Sequence, residues 1–275
     1  ICFKPAPVPE VDVSNSEVDW PVIVLPDTPA KSIAELFIAA AIERTKTLKL
    51  GSGVSSLPYH HPLMTANRFI QLDHHSRGRV MLGVGPGALT GDAYMMGIVP
   101  TEQRPMMQEA AWLIKRLMTE TEPITYKSKW FTLEEAHVHL RPYTYPHPHI
   151  AIAAVQSPSG MITAGKLGAG VLSLNAVADR GKGVSSQKIT LKDFWKIAEE
   201  TAAEHGKTMR REDWGIVMGM HLADSKEQAI KDIKEGAGNV VTEYFFETLG
   251  NPVPDVPRDQ IVDYMVDHNQ WIVGT

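Results

Sequence analysis

The sequence predicts an α/β protein in which strands and helices alternate along the chain and the strands form a parallel sheet. Apolar residues recur at helical spacing over residues 36–42 and 63–70, and a short apolar run follows at residues 80–84. A continuous apolar run is typical of a strand that is buried on both faces of a parallel sheet. The length of 275 residues suits one large domain or two small ones, and α/β barrels commonly use about 250 residues as one domain.

The alternation can be followed element by element. Residues 1–34 are atypical because they are rich in proline, and within them only residues 22–25 favour a strand. Further strands are predicted at residues 48–57, 80–84, 150–155, 171–174 and 216–222. Helices are predicted at residues 31–46, 62–78, from 104 onwards, 157–167, 194–202, 229–244 and 261–266, with a β-hairpin at residues 124–140 and a polar loop at residues 179–188. No linker or repeat divides the chain, so we expect a single domain over residues 1–275.

Composition and charge exclude several functional classes. The net charge is −5, from 27 basic and 32 acidic side chains, and there is no basic stripe, so we expect no nucleic-acid partner. The apolar runs are far shorter than the roughly 18 residues of a membrane span, so we expect no membrane partner. Cys2 is the only cysteine, which rules out an internal disulfide and fits a cytoplasmic protein. The chain starts at Ile1 and stops at residues 272–275, where a loop or helix start is expected, so we expect it to be incomplete at both ends.

A glycine-rich segment follows the predicted strand at residues 80–84. Its glycines would let a ligand approach the backbone closely. Gly83, Gly85 and Ala88, with Glu102 further along, also match the spacing of a dinucleotide-binding turn. That motif requires a helix to begin at its own glycines. Gly91, Gly97 and Pro100, which follow, oppose such a helix. A plain structural turn is the other alternative.

Small residues follow the strand predicted at residues 150–155. Ser157 is a good N-cap and Pro158 suits the first position of a helix. Because the next side chains are small, the N–H groups at this helix start are open to an anion such as phosphate. The alternative is a well-capped helix that binds nothing. The residues concerned are Gln156, Ser157, Pro158, Ser159 and Gly160.

Arg104 is a second candidate for binding an anion, because a guanidinium group grips phosphate with two parallel hydrogen bonds. It begins a helix soon after the glycine-rich segment, although a lone surface arginine is more often only solvated. The eleven histidines show no metal-ligand spacing, and surface or packing roles are expected for most of them. His221 lies near the end of its strand, where the sites of barrel proteins occur. The chain has no serine nucleophile elbow, P-loop or kinase motif, so a cofactor would have to carry any chemistry.

Several segments occur in a characteristic order: residues 49–58, 61–62, 72–73, 76–79, 82–85, 154–159 and 273–275. Together they resemble the bacterial luciferase-like, flavin-dependent monooxygenases. The run at residues 85–97, followed by Gln103 and Arg104, is similar to the limonene monooxygenase-like subgroup of that family. The resemblance covers residues 35–275.

The resemblance implies a (β/α)₈ barrel that binds a flavin at the carboxyl ends of its strands, incomplete here at both ends because the last strand and helix are expected beyond Thr275. By position it implies a non-proline cis peptide at Gly53–Val54 beneath the flavin ring, and a phosphate site made by Arg104 and the helix start. The implied cofactor-binding residues are Gly53, Val54, Gly85, Arg104, Gln156, Ser157, Ser159 and Gly160.

The implied activity is that of a two-component monooxygenase. Reduced FMN from a separate flavin reductase would react with O₂ to oxygenate a small apolar, limonene-like substrate, and a homo- or heterodimer is compatible with this activity. The loop at residues 94–96 would line the substrate pocket or pack on the next helix. An F420 (deazaflavin)-dependent oxidoreductase of the same fold is one alternative. The other is a catalytically inactive flavin-binding fragment, poorly soluble by itself, since residues 1–47 lack the family's Glu-His-His motif and no catalytic residue is identified.

Overall fold

The computed structural model describes residues 23–25, 33–154, 157–174, 190–250, 254–268 and 270–275. Its strands are β1 (Ile23–Leu25), β2 (Leu50–Ser52), β3 (Ser55–Ser56), β4 (Val80–Gly85), β5 (Ile124–Lys127), β6 (Thr132–Ala136), β7 (His149–Ala153), β8 (Gly170–Leu174), β9 (Trp214–Val217), β10 (Gly219–Leu222) and β11 (Trp271–Gly274). Its α-helices are α1 (Ile33–Arg44), α2 (Pro62–Ser76), α3 (Thr90–Met95), α4 (Gln103–Thr119), α5 (Pro158–Leu167), α6 (Leu191–Glu204), α7 (Lys226–Asn239) and α8 (Ile261–Asp267).

The central sheet is parallel throughout. Its strands lie in the order β1-β2-β4-β7-β8-β9, with β3 also paired to β4. A second parallel pair, β10 and β11, follows β9 after Met218 alone. The sheet curls as part of a (β/α)₈ barrel, and the predicted fold class is confirmed. Among the described strands β1 pairs only with β2 and β11 only with β10, so these strands do not close a ring.

The core lies between this sheet and the helices that connect its strands. Helix α4 shows why the sequence folds this way, because Met106, Ala110, Leu113 and Leu117 recur at helical spacing and all are buried. They meet the apolar strands β4 and β7, in which Leu82, Val84, Ile150 and Ile152 are also buried. Burial on both faces explains why these strands read as continuous apolar runs in the sequence.

The structure corrects four of the predicted elements. The strand expected at residues 216–222 is two strands, β9 and β10, which are separated at Met218. The strand expected at residues 48–57 is two short strands, β2 and β3, separated at Gly53–Val54. The helix expected at residues 229–244 ends at Asn239 and continues as a π-helix, Val240–Thr248. Residues 271–274, where a loop or helix start was expected, form β11, because Trp271 and Val273 pack against apolar side chains of α7 and α8. The polar loop expected at residues 179–188 lies outside the described residues.

The hairpin excursion between α4 and β7 is confirmed, with β5 and β6 antiparallel. The buried carboxylate of Asp73 fixes the segment that leads from the hairpin back to β7. It accepts hydrogen bonds from the Thr144 N–H and hydroxyl, both at 2.8 Å. Arg79 acts similarly inside the barrel body. Its guanidinium donates to the carbonyls of Ile42, Leu48 and Ser76 and to a threonine hydroxyl. The carbonyls of Ile42 and Ser76 lie in the last turns of α1 and α2, where a helix leaves carbonyl groups without an intrahelical partner. Two of the segments that carry the family resemblance therefore have structural roles.

Candidate functional site

The carboxyl ends of β2, β4 and β7 lie at the same edge of the sheet, because parallel strands all point the same way. Two of the predicted site segments meet there directly. The Gly53–Val54 peptide is cis, as expected. Gly85 lies against it, since a Cβ built on Gly85 would approach Cγ2 of Val54 to 2.6 Å. Gly83 is equally close to β2, because a Cβ there would lie 2.1 Å from the carbonyl oxygen of Ser52.

Arg104 and the start of α5 also come together. The Arg104 guanidinium donates to the hydroxyls of Ser157 at 2.7 Å and Ser159 at 2.8 Å, although 53 residues separate Arg104 from Ser157. The two hydroxyls lie 2.9 Å apart and hydrogen-bond to each other. We call these three side chains the serine–arginine cluster. It is solvent-accessible at the amino end of a ten-residue helix, where the helix dipole favours a negative charge.

Ser157 occupies the N-cap position with extended backbone, as predicted, but its hydroxyl does not cap α5. The hydroxyl is turned to Arg104 and Ser159 instead. The capping interpretation is therefore wrong for the side chain, and the physical reason is competition from a charged donor, which forms the stronger hydrogen bond. The consequence is that the N–H groups of the first turn of α5 donate no hydrogen bond to this side chain.

Gly160 packs closely against the end of β7. It is buried in the first turn of α5, and a Cβ built on it would lie 2.4 Å from the Ala153 carbonyl oxygen and 2.8 Å from Cα of Ala154. Only glycine lets the helix start rest this closely on the end of β7. Gly160 therefore determines where the serine–arginine cluster stands relative to the sheet. Gln156 lies outside the described residues.

Gln103 is a site residue whose role sequence reasoning missed. Its buried side-chain amide donates to the Tyr59 hydroxyl at 2.7 Å and to the Pro86 carbonyl at 3.0 Å. These bonds fix the loop after β4 to the start of α4, next to Arg104. Gly87 (φ +87°) completes the close contact, since a Cβ there would approach the Tyr59 hydroxyl to 2.6 Å. A polar residue on the inward face of an amphipathic helix was the available signal.

The dinucleotide-binding interpretation of the glycine segment is wrong. The short helix α3 opens at Thr90, five residues after β4 ends, so no helix begins at Gly83 or Gly85. Glu102 is also engaged elsewhere, with Lys129 and with the Trp130 indole N–H, and these hydrogen bonds hold its pKa below the ordinary value. Packing of the loop at residues 94–96 on the next helix is not found either, because Tyr94 and Met95 are 84% and 74% exposed.

Three of the histidines, His221, His147 and His149, do not point into this edge. His221 was placed at the barrel mouth by its position, but its Nε2 lies 3.3 Å from a carboxylate oxygen of Asp232 on α7, so it faces the helix layer. His147 and His149 lie before and at the start of β7, at the opposite edge of the sheet, and burial lowers the pKa of both. Among the described residues no group of three or more potential ligands could hold a metal ion. In the same residues no helix is both long and apolar enough to cross a bilayer.

Two curated proteins are similar to this chain over most of its length. Limonene 1,2-monooxygenase from Rhodococcus erythropolis is 42% identical over 247 residues, which cover 88% of this chain and 60% of that protein. 4-Hydroxyprotoasukamycin monooxygenase from Streptomyces nodosus subsp. asukaensis is 42% identical over 247 residues, covering 89% of this chain and 65% of that protein. The chain thus spans less than two thirds of the length of these two relatives.

A solved structure and a family profile agree with these relatives. The oxygenating constituent of 3,6-diketocamphane monooxygenase from Pseudomonas putida, in complex with FMN, has a TM-score of 0.65 and 25% sequence identity, covering 83% of this chain and 68% of that chain. The profile described as luciferase-like monooxygenase matches residues 26–251, well over half of the sequence. With the parallel sheet and the glycine-lined edge described above, these matches place the chain in a family. The chain belongs to the luciferase-like monooxygenase family.

Proposed function

We propose that this chain is the barrel domain, over residues 1–275, of a monooxygenase that uses reduced FMN and O₂. The observation that carries the proposal is the serine–arginine cluster, which places one guanidinium and two hydroxyls at the amino end of α5. A phosphate monoester is dianionic and has three acceptor oxygens, which suits this set of donors. The two arginine hydrogen bonds to serine would be exchanged for stronger bonds to phosphate oxygens.

The glycine-lined edge suits the flat ring of the same cofactor. Gly83 and Gly85 carry no side chain where β4 passes Ser52 and Val54, so the Ser52 carbonyl and the Val54 side chain pack directly on β4 and the Gly53–Val54 peptide lies at this edge. In this assignment Gly53, Val54 and Gly85 support the ring. Arg104, Ser157 and Ser159 hold the phosphate together with Gln156, and Gly160 seats the helix start. When bound, reduced FMN supplies the electrons with which O₂ is activated.

The face of the sheet opposite the helices supports an apolar substrate. Since His221 points to α7, the neighbouring Met220 and Leu222 point to the opposite face of β10, and both side chains are exposed. Ile272, the partner of Met220 in the β10–β11 pair, is exposed on the same face. We propose that such side chains bind a small apolar compound and keep water from the flavin. Tyr94 and Met95, exposed on α3, would cover the pocket.

The proposed activity implies a partner protein, a cellular compartment and an oligomeric state. We propose that a separate flavin reductase supplies the reduced FMN, that the protein is cytoplasmic, and that it acts as a homo- or heterodimer. An F420-dependent oxidoreductase remains the second candidate, because F420 also carries phosphate and the serine–arginine cluster would suit it as well. A flavin-binding protein without turnover is the third.

The test compares cofactors and arginine variants. We expect FMN to bind more tightly than riboflavin, which lacks the phosphate, and Arg104→Ala to weaken FMN binding roughly ten- to hundredfold, the effect of one hydrogen bond to a charged group. The matched control is Arg116→Ala, which removes an ion pair with Glu120 at the far end of the same helix. Equal dissociation constants for FMN in wild type and Arg104→Ala would overturn the proposal.

Activity separates the three candidates. With FMN, a flavin reductase, NADH and limonene, oxygen-dependent product formation supports the monooxygenase. Tight binding of F420 with no affinity for FMN would favour the F420-dependent candidate. Binding of FMN without any oxygenated product would favour the inactive one.

A further inference from the structure

Two linked hydrogen bonds connect β9 and β8 to the end of β7. The indole N–H of Trp214, on β9, donates to the hydroxyl of Ser173 on β8 at 3.0 Å. The Ser173 hydroxyl in turn donates to the carbonyl oxygen of Ala154, which directly follows β7, at 3.0 Å. Ser173 is only 2% exposed. A hydroxyl has one donor and can accept at its lone pairs, so both bonds form at once.

Ala154 directly follows β7 and contacts the first turn of α5. Its N–H donates to the Leu172 carbonyl at 2.8 Å. Its carbonyl accepts a hydrogen bond from Ser173, and Gly160 of α5 packs so closely that a Cβ built on it would lie 2.8 Å from Cα of Ala154. Ala154 is therefore held from the sheet and from the helix. The first turn of α5 also carries Ser159 of the serine–arginine cluster.

Trp214, the first donor, is itself fixed in orientation. The indole of Trp214 stacks on that of Trp195 in α6, with centroids 4.9 Å apart and an interplanar angle of 11°. The guanidinium of Arg211 lies 4.6 Å from the centroid of the Trp214 ring, a cation–π contact. With its ring held on α6, Trp214 can present its N–H to Ser173 in only a narrow range of directions.

We propose that Ser173 is a positioning residue for the cofactor phosphate. It acts through the Ala154 carbonyl and the contact of Ala154 with Gly160, which set where the first turn of α5 stands opposite Arg104. This inference rests on the proposed function, since it concerns how FMN phosphate is gripped. Its physical basis is that charge-assisted hydrogen bonds depend steeply on distance and direction, so a small displacement of this helix start weakens them. The proposed flavin-ring site, at β2 and β4, makes no use of this helix start.

The experiment therefore measures the phosphate contribution separately. For each variant, the dissociation constants (Kd) of riboflavin and FMN are measured. The Kd of riboflavin divided by the Kd of FMN reports the affinity that the phosphate adds. We expect Ser173→Ala to lower this ratio roughly three- to tenfold, as for the loss of about one hydrogen bond, with riboflavin binding unchanged. Ser173→Thr, which keeps a hydroxyl, should retain most of the ratio. The phosphorus NMR signal of bound FMN should shift in Ser173→Ala.

Two further variants control for stability. Thr242→Val removes another buried hydroxyl-to-carbonyl hydrogen bond, to Gly238, far from the site, and should leave the ratio unchanged whatever it costs in stability. Trp214→Phe removes the donor to Ser173 and should lower the ratio in the same direction, which gives a second measurement if Ser173→Ala folds poorly.

The outcomes distinguish the two proposals. A wild-type ratio near one would overturn the proposed function and this inference with it. A large wild-type ratio that Ser173→Ala and Trp214→Phe leave unchanged would overturn the positioning role alone. Equal weakening of riboflavin and FMN would also overturn it, because that result is expected of a general structural defect.

Discussion

Replacing Gly160 with alanine tests the contact on which the site geometry depends. The added methyl would lie 2.4 Å from the Ala153 carbonyl oxygen and 2.8 Å from Cα of Ala154. Both are backbone atoms of the buried end of β7, so they cannot swing aside as a flexible side chain would. Helix α5 must instead move outward by several tenths of an ångström or more.

Two opposing effects set the magnitude. Overpacking of a close contact costs about 1–3 kcal/mol. The gain in helix propensity from glycine to alanine is at most about 1 kcal/mol and is smaller in the first turn of a helix. We therefore expect Gly160→Ala to lower the free energy of unfolding by about 1–2 kcal/mol. In a protein of this size each kcal/mol shifts the melting temperature by about 2–4 °C.

Urea unfolding followed by circular dichroism measures this effect, with Gly236→Ala as the matched control. Gly236 lies inside α7 with no atom near its missing Cβ, so alanine there should stabilise the protein by about 0.5–1 kcal/mol. The two substitutions are chemically identical and should have opposite signs. If Gly160→Ala unfolds at the same urea concentration as wild type, or a higher one, the close packing of α5 on β7 is refuted.

Three further predictions concern stability. Asp73→Ala should cost about 2–4 kcal/mol in urea unfolding because it removes the buried acceptor of two half-buried donors of Thr144, whereas Thr144→Ser should cost under about 1 kcal/mol; equal costs would contradict this. Arg79→Lys should cost about 1–3 kcal/mol, since one ammonium cannot reach four acceptors, and a wild-type midpoint would argue against it. Burial lowers the pKa of His147 and His149 from 6.5, so the folded state binds fewer protons than the unfolded chain. Their contribution to the free energy of unfolding should therefore be complete above about pH 6.5 and be lost as the pH falls from there through the lower pKa values of the folded state. The loss should be less steep in His149→Gln. Thermal melts at a series of pH values below about 7 measure both effects.

Much of the fold could be predicted because burial leaves a local signature. Strands covered on both faces are apolar throughout, as at Val80–Gly85, and helices on the outside are apolar on one side. The start of α5 could be predicted for a different reason, because Ser157 and Pro158 are residue types that favour the N-cap and the first position of a helix. Pairing Arg104 with that helix start needed the family resemblance, since nothing local links residues 53 positions apart.

What escaped prediction depends on long-range pairing. β11 is a strand because it pairs with β10 and covers α7 and α8, and neither interaction is visible within the four residues themselves. The direction of His221 depends on which face of β10 meets α7, and the irregularity at Met218 between β9 and β10 resets that alternation. Ser173 did leave a signal, as a lone hydroxyl in an apolar strand. Its partners on two other strands could not be inferred from it.

The two ends of β7 are subject to different constraints. Next to its carboxyl end, the Ala154 carbonyl and the start of α5 contribute to the geometry of the proposed ligand site. At its amino end, His149 lies 3.6 Å from Asp213, and its protonation makes stability depend on pH. These sites lie at opposite ends of a strand of five residues. Mutations that adapt the protein to a more acidic or hotter environment can therefore accumulate at the amino end while the carboxyl end stays unchanged. For protein engineering, the amino edge of this sheet is the place to alter robustness, and the carboxyl edge the place to alter selectivity.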